Sequence, residues 1–220
     1  MNLIPLLSRW KRFLMTGVFV VASLLLYGLF PTESRLSGTI QSLTLGAAVF
    51  LVLPILFAKT VLHEPLSALG FRGSNRRFGA VSIPLVVIPI LSIWYVLLRT
   101  YPVASSYTLP STVRSSFPIF LFYEIVLVGV IAFLYETFFR GLVQILWLRS
   151  AGLWAVFIQA ALFFVFVVSV GGGFSWQDMP LCLAGLASGF VASYTGSVSY
   201  AWVSAWLVLF LSDVLILVSR

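Results

Sequence analysis

The chain has 220 residues, of which 61% are hydrophobic, 16% aromatic and 9% charged, and its formal net charge is +7. A soluble domain carries about 25% charged residues and still exposes about a third of its unfolded-chain surface, so this composition excludes a water-soluble core and, by its hydrophobicity, a disordered chain. The single cysteine, Cys182, excludes a disulfide scaffold, and the unbroken apolar runs exclude an outer-membrane barrel, whose strands would alternate apolar and polar residues.

What remains is an all-α, polytopic membrane helix bundle, expected as one integral-membrane domain over residues 1–220. Seven apolar segments are read at 13–30, 40–58, 79–98, 117–148, 154–170, 179–194 and 198–218. A bilayer span takes about 20 apolar residues, so about seven transmembrane helices are expected. Arg9, Lys11 and Arg12 precede the first segment as they would in a signal peptide. The segment is too long for one, and its exit, Tyr27-Gly28-Leu29-Phe30-Pro31, has no small-residue cleavage site, so a retained helix is expected.

Basic residues fall in the loops. With the N-terminus inside, Arg9, Lys11, Arg12, Lys59, Arg72, Arg76, Arg77 and Arg149 lie on the cytoplasmic side, and Arg35, Arg99, Arg114 and Arg220 outside. Eight against four orients the N-terminus to the cytoplasm and the C-terminus outside, with the bacterial inner membrane as the expected location. The net positive charge is thus a topology signal, and no nucleic-acid partner is expected. Arg72, Arg76 and Arg77 in the loop 59–78 also suit anionic lipid headgroups. The single histidine, His63, stands in that loop beside Glu64 and Pro65; it forms no H-E-x-x-H pattern, and no metal or cofactor is expected.

The fourth segment is too long for one upright crossing; it either tilts or breaks near Gly141. It carries Glu124, Glu136 and Arg140, and the last segment carries Asp213, all charged groups that cost several kcal/mol at bilayer depth. Asp213 is close enough to its segment end to reach the interface. Glu136 and Arg140 are an i,i+4 pair, acid before base, and so share one helix face. Two readings stand: a buried pair that fixes helix packing, or Glu136 as a general base on water with its basicity set by burial and by Arg140.

Gly185 and Gly189, Ala184 and Ser188, and Ser188 and Ala192 give the sixth segment small residues at four-residue spacing, which places it in the middle of the bundle. Trp10, Trp94, Trp147, Trp154 and Trp176 fall near segment ends and read as an aromatic interface belt. Trp202 and Trp206 share one face of the last segment, toward a neighbouring helix, lipid, a ligand cavity or a partner. There is no G-x-S-x-G elbow, and Gly171–Gly173 lacks the lysine of a phosphate cradle.

At Tyr135-Glu136-Thr137-Phe138-Phe139-Arg140-Gly141 the chain resembles the CAAX-protease and bacteriocin-processing (CPBP, or Abi) family of intramembrane proteases, whose first motif is E-E-x-x-x-R. Leu69-Gly70-Phe71-Arg72 is similar to the family's entry to its core, Trp154-Ala155 through Phe163 to its second motif helix, and Ala184–Gly189 with Tyr194-Thr195-Gly196-Ser197-Val198 to its third motif region. The resemblance covers about residues 65–215 and implies a CPBP-like helix bundle. The chain departs from the motifs where the chemistry lies. Tyr135 replaces the first glutamate, the water-activating base. Val167 stands at the histidine of F-x-x-x-H, and Ala205 and Leu209 stand at the histidine and asparagine of H-x-x-x-N. A phenol titrating near 10 is a poor base at neutral pH, and removing one oxyanion donor alone costs about 10²–10³ in rate.

The expected function is therefore that of a degenerate, non-proteolytic member, a pseudoprotease. It would act as a binding, scaffold or accessory subunit for another membrane protein or for a hydrophobic or lipidated peptide. The alternative is an active CAAX-type glutamyl endopeptidase using Glu136 and Arg140, with Glu124 as a second carboxylate. Convergence of Glu124 and Glu136 on one wet cavity would favour the enzyme.

Overall fold

The computed structural model describes residues 4–30, 36–71, 76–101 and 109–219, and among these there is no strand. Helix α1 runs Ile4–Leu29, and α2 covers residues 36–60 through a π-helical turn at Ala48–Val52. A 3₁₀ turn, Leu66–Leu69, follows. Helix α3 is Arg76–Thr100 and the short α4 is Ser111–Ser115. Helix α5 is one continuous helix, Phe117–Ala151. Then come α6, Trp154–Val170, α7, Met179–Thr195, and α8, Val198–Ser219.

All seven apolar segments are helices. Five of them, in α1, α2, α3, α5 and α8, are long and apolar enough to cross a membrane. Helices α6 and α7 have 17 residues each, about 25 Å at 1.5 Å per residue, against a hydrocarbon core of about 30 Å. The outer surface supports a multi-pass membrane protein directly. Leu14, Val18 and Leu25 on α1, Leu85, Ile88 and Val96 on α3, and Phe117, Phe122 and Ile125 on α5 are all exposed. Apolar surface of that extent is far more than a monomeric water-soluble protein shows.

Helix α5 does not break at Gly141. Residues Glu136–Ile145 widen into a π-helix and the helix continues. Gly141 serves a different end: a Cβ there would stand 2.9 Å from the carbonyl oxygen of Leu69, so its bareness lets the 66–70 turn press on α5. Gly70, at φ +82°, turns the chain, and its carbonyl accepts the N–H of Val198 at 3.0 Å, tying the turn to the start of α8.

Helix α7 is the central element, packed against α3, α5, α6 and α8. Its small residues face inward: Ala184, Gly185, Ser188, Gly189 and Ala192 are all buried. The tryptophan belt is only partly observed. Trp10, Trp154 and Trp176 are exposed at helix ends, but Trp94 and Trp147 are buried. Each of these two points at a neighbouring helix: Trp94 packs with Leu98 and Ile216, and Trp147 lies 4.7 Å from the ring of Phe13.

Candidate functional site

The inward part of α5 carries two different faces. Glu136, Arg140 and Gln144 follow one another at four-residue spacing, and all three are buried. Each is joined to α7. The Ser188 hydroxyl donates to Glu136 Oε1 at 2.9 Å. Arg140 Nη2 donates to the Gly185 carbonyl. Gln144 Nε2 donates to the Gly189 carbonyl at 2.6 Å. Glu136 and Arg140 are themselves paired, with Nε 3.2 Å from Oε2 and neither side chain open to solvent. The guanidinium also lies over the Phe163 ring of α6, 4.8 Å from its centre. A charge in such a place must be paired and hydrogen-bonded, and this one is.

This polar seam depends on missing side chains. A Cβ on Gly185 would stand 2.5 Å from Phe163 and 2.8 Å from Arg140 Nη2. The small residues that place α7 in the middle of the bundle also let its carbonyls reach the cation.

The other face of the same stretch is aromatic. The Tyr135 ring lies 5.6 Å from Phe50, 5.7 Å from Phe163 and 5.6 Å from Phe166, and Tyr27 lines one cavity with it. Val167 belongs to the same apolar cluster, with Phe138, Phe139 and Phe163. Ala205 lies in a second cluster with Ala184, Val87 and Val208, and Leu209 is half-buried on α8. Thus the four positions that the resemblance aligns with catalytic residues are divided among different surroundings, Val167 beside Tyr135 in one apolar cluster and Ala205 in another. Tyr135 instead forms one wall of a cavity of about 90 Å³ shared with Tyr27, Thr39, Ser42, Gly46 and Phe50, among others.

No family model, no curated protein and no solved structure matches this chain.

Glu124 is fully buried twelve positions before Glu136 on α5. It does not turn toward Glu136; the charged group near it is Asp213 on α8, and neither of its carboxyl oxygens has a hydrogen-bond partner. Asp213, close to the end of its segment, is itself buried. Trp202 and Trp206 bolt the same two helices together. Their indole N–H groups donate to the carbonyls of Gly129 at 2.8 Å and Glu124 at 2.9 Å. Both serve helix packing and neither lines the cavity beside Tyr135.

Of the basic loop, Arg72 lies outside the described residues, Arg76 begins α3, and Arg77 is exposed. His63 is exposed too, at φ +55°. Its neighbour Glu64 is the working residue of that turn: one oxygen accepts from Arg12 Nη1 at 2.8 Å and from Arg149 Nη1 at 2.7 Å, joining α1 to the end of α5.

Sequence reasoning missed Gln144 and Gln159. Gln144 extends the 136, 140 spacing by one more step, and Gln159 stands in the otherwise apolar first half of α6. Either pattern would have identified them.

Proposed function

We propose that this chain is a non-catalytic binding or accessory subunit of the membrane, with a CPBP-like bundle in which the polar centre serves packing. The observation that supports this best is how Glu136 is used: Arg140 and Ser188 hold its carboxylate against α7, and the adjoining Tyr135 and Val167 are packed among aromatic rings. A base that must take a proton from water needs a free lone pair, a positioned water and an oxyanion donor nearby. An endopeptidase of two carboxylates would need Glu124 and Glu136 to converge, and Glu124 faces Asp213 instead.

The partner is another membrane protein or a hydrophobic or lipidated peptide, met across the apolar outer faces of the bundle. The N-terminus is cytoplasmic and the C-terminus outside, in a bacterial inner membrane, and Arg72, Arg76 and Arg77 contact anionic headgroups. Affinity purification of the full chain in mild detergent, with co-purifying membrane proteins identified, tests the binding function; one stoichiometric membrane partner is the expected result. Peptide hydrolysis by the purified chain that disappears in Glu136→Gln would overturn it. Orientation is tested with Ser67→Cys in a Cys182→Ser background. Labelling by a membrane-impermeant thiol reagent in intact cells would contradict a cytoplasmic 59–78 loop.

A further inference from the structure

Gln144 and Gln159 are fully buried, from α5 and α6, and converge on Gly189 of α7. Gln144 Nε2 is engaged by the Gly189 carbonyl. Its Oε1 has no hydrogen-bond partner, and neither polar atom of Gln159 has one. In a bilayer such atoms find no solvent, and each one left unpaired costs several kcal/mol, so a partner has to be built in.

The geometry narrows what that partner is. A methyl group placed on Gly189 would stand 3.0 Å from Oε1 of Gln144 and 3.1 Å from Oε1 of Gln159, with Val156 Cγ1 at 3.3 Å. Two carbonyl oxygens thus approach one region from different helices. Facing acceptors repel unless a donor with two hydrogens stands between them. Both side chains are fully buried among α5, α6 and α7, so only a very small molecule fits beside them. We propose that Gln144 and Gln159 form a buried water site against Gly189, in which one ordered water donates to both carboxamide oxygens.

The absence of a side chain at Gly189 is part of the site, since any Cβ would crowd both oxygens. Arg140 Nη1, on the same face of α5, is the next unpartnered donor along the seam. The water site therefore continues the polar seam toward the end of α5 that carries Arg149. It is separate from the aromatic surroundings of Tyr135. It requires no hydrolytic activity and does not depend on the proposed binding role.

The test uses the full chain in lipid nanodiscs, exposed to short X-ray pulses, with side-chain oxidation measured by mass spectrometry. Hydroxyl radicals form in place from ordered water, so a residue sealed from solvent is oxidised only if such a water touches it. Val156 is fully buried beside the proposed site, and Val208 is a fully buried control in the second apolar cluster. Oxidation of Val156 well above Val208 is expected, with loss of that excess in Gln144→Leu/Gln159→Leu. Absence of excess labelling at Val156 in the unmodified chain would overturn the site, whether or not the variant folds. So would labelling that persists in a folded double variant. A structure showing the Gln159 amide turned to donate directly to Gln144 Oε1, with no water density beside them, would overturn it as well.

Discussion

Among the described residues glutamate and arginine meet at two places, in settings that differ far more than the chemistry. At the end of the bundle Glu64 accepts from Arg12 and Arg149 at 2.8 and 2.7 Å, and those arginine side chains are 59% and 49% exposed. Inside, Arg140 stands 3.2 Å from Glu136, and both are closed off. The shorter contacts are expected to be the cheaper ones to break. Water screens the outer pair and would hydrate each partner alone, whereas the inner pair has nowhere else to put its charges. Distance is thus a poor guide to what an ion pair contributes, and the cost of leaving one partner unpaired is a better one.

The largest effect is expected at Arg140. Arg140→Ala leaves Glu136 buried without its cation, with only the Ser188 hydroxyl beside it, and should cost about 3–5 kcal/mol, read as a lower midpoint of thermal unfolding in detergent. Adding Glu136→Leu should recover most of that loss, because no uncompensated charge then remains. If the double variant is less stable than the single one, the pair is not what holds α5 to α7.

Next is the glycine that lets the cation reach α7. Gly185→Ala should cost about 1–3 kcal/mol by overpacking, since the methyl group would meet Phe163 and Arg140. Gly28→Ala on α1 is the contrast: nothing lies within 4 Å of a Cβ there, so the change should be neutral or stabilise by about 0.5–1 kcal/mol. Equal losses at the two positions would mean that close approach is not the role of Gly185.

A third carboxylate separates pairing from burial. Glu124, like Glu136, is closed to solvent, yet the charged group near it is another acid. Glu124→Gln keeps the shape and gives Asp213 a permanent N–H donor. A change of about 1 kcal/mol or less is expected, toward greater stability, because the new hydrogen bond needs no shared proton. Glu136→Gln should move the other way, since it strands the Arg140 cation. The same unfolding midpoints read both, and a drop of equal size in the two variants would show that burial alone sets the cost.

These contrasts also divide what the sequence carries from what it does not. Glu136 and Arg140 are legible because a four-residue spacing on a helix is a local relation, and α7 is legible as central because small residues at that spacing must face a close neighbour. The meeting of Glu124 with Asp213, or of Glu64 with Arg12 and Arg149, joins residues far apart along the chain, and no local period encodes it. The π-helical stretch at Glu136–Ile145 was hidden for a related reason. Its sequence suits an α-helix equally well, so no local pattern marks it. Gln144 was legible in principle, as the next step in the 136, 140 series.

The smallest effect is expected at the outer pair. Glu64→Gln should cost a few tenths of a kcal/mol and at most about 1, because Arg12 and Arg149 both remain hydrated when their partner loses its charge. The loss should shrink further in high salt, where the screening length falls to about 3 Å at 1 M. The inner pair should show no such dependence, since ions do not enter the seam. Unfolding midpoints of the unmodified chain, Glu64→Gln and Arg140→Ala, each at low and high salt, make the comparison complete. If salt erases the Glu64→Gln effect but leaves Arg140→Ala untouched, environment governs the two pairs. If Glu64→Gln costs as much as Arg140→Ala at every salt concentration, the Glu64 contacts act as a clasp that α1 needs in order to stay docked on α5, and the ranking of the two sites must be reversed.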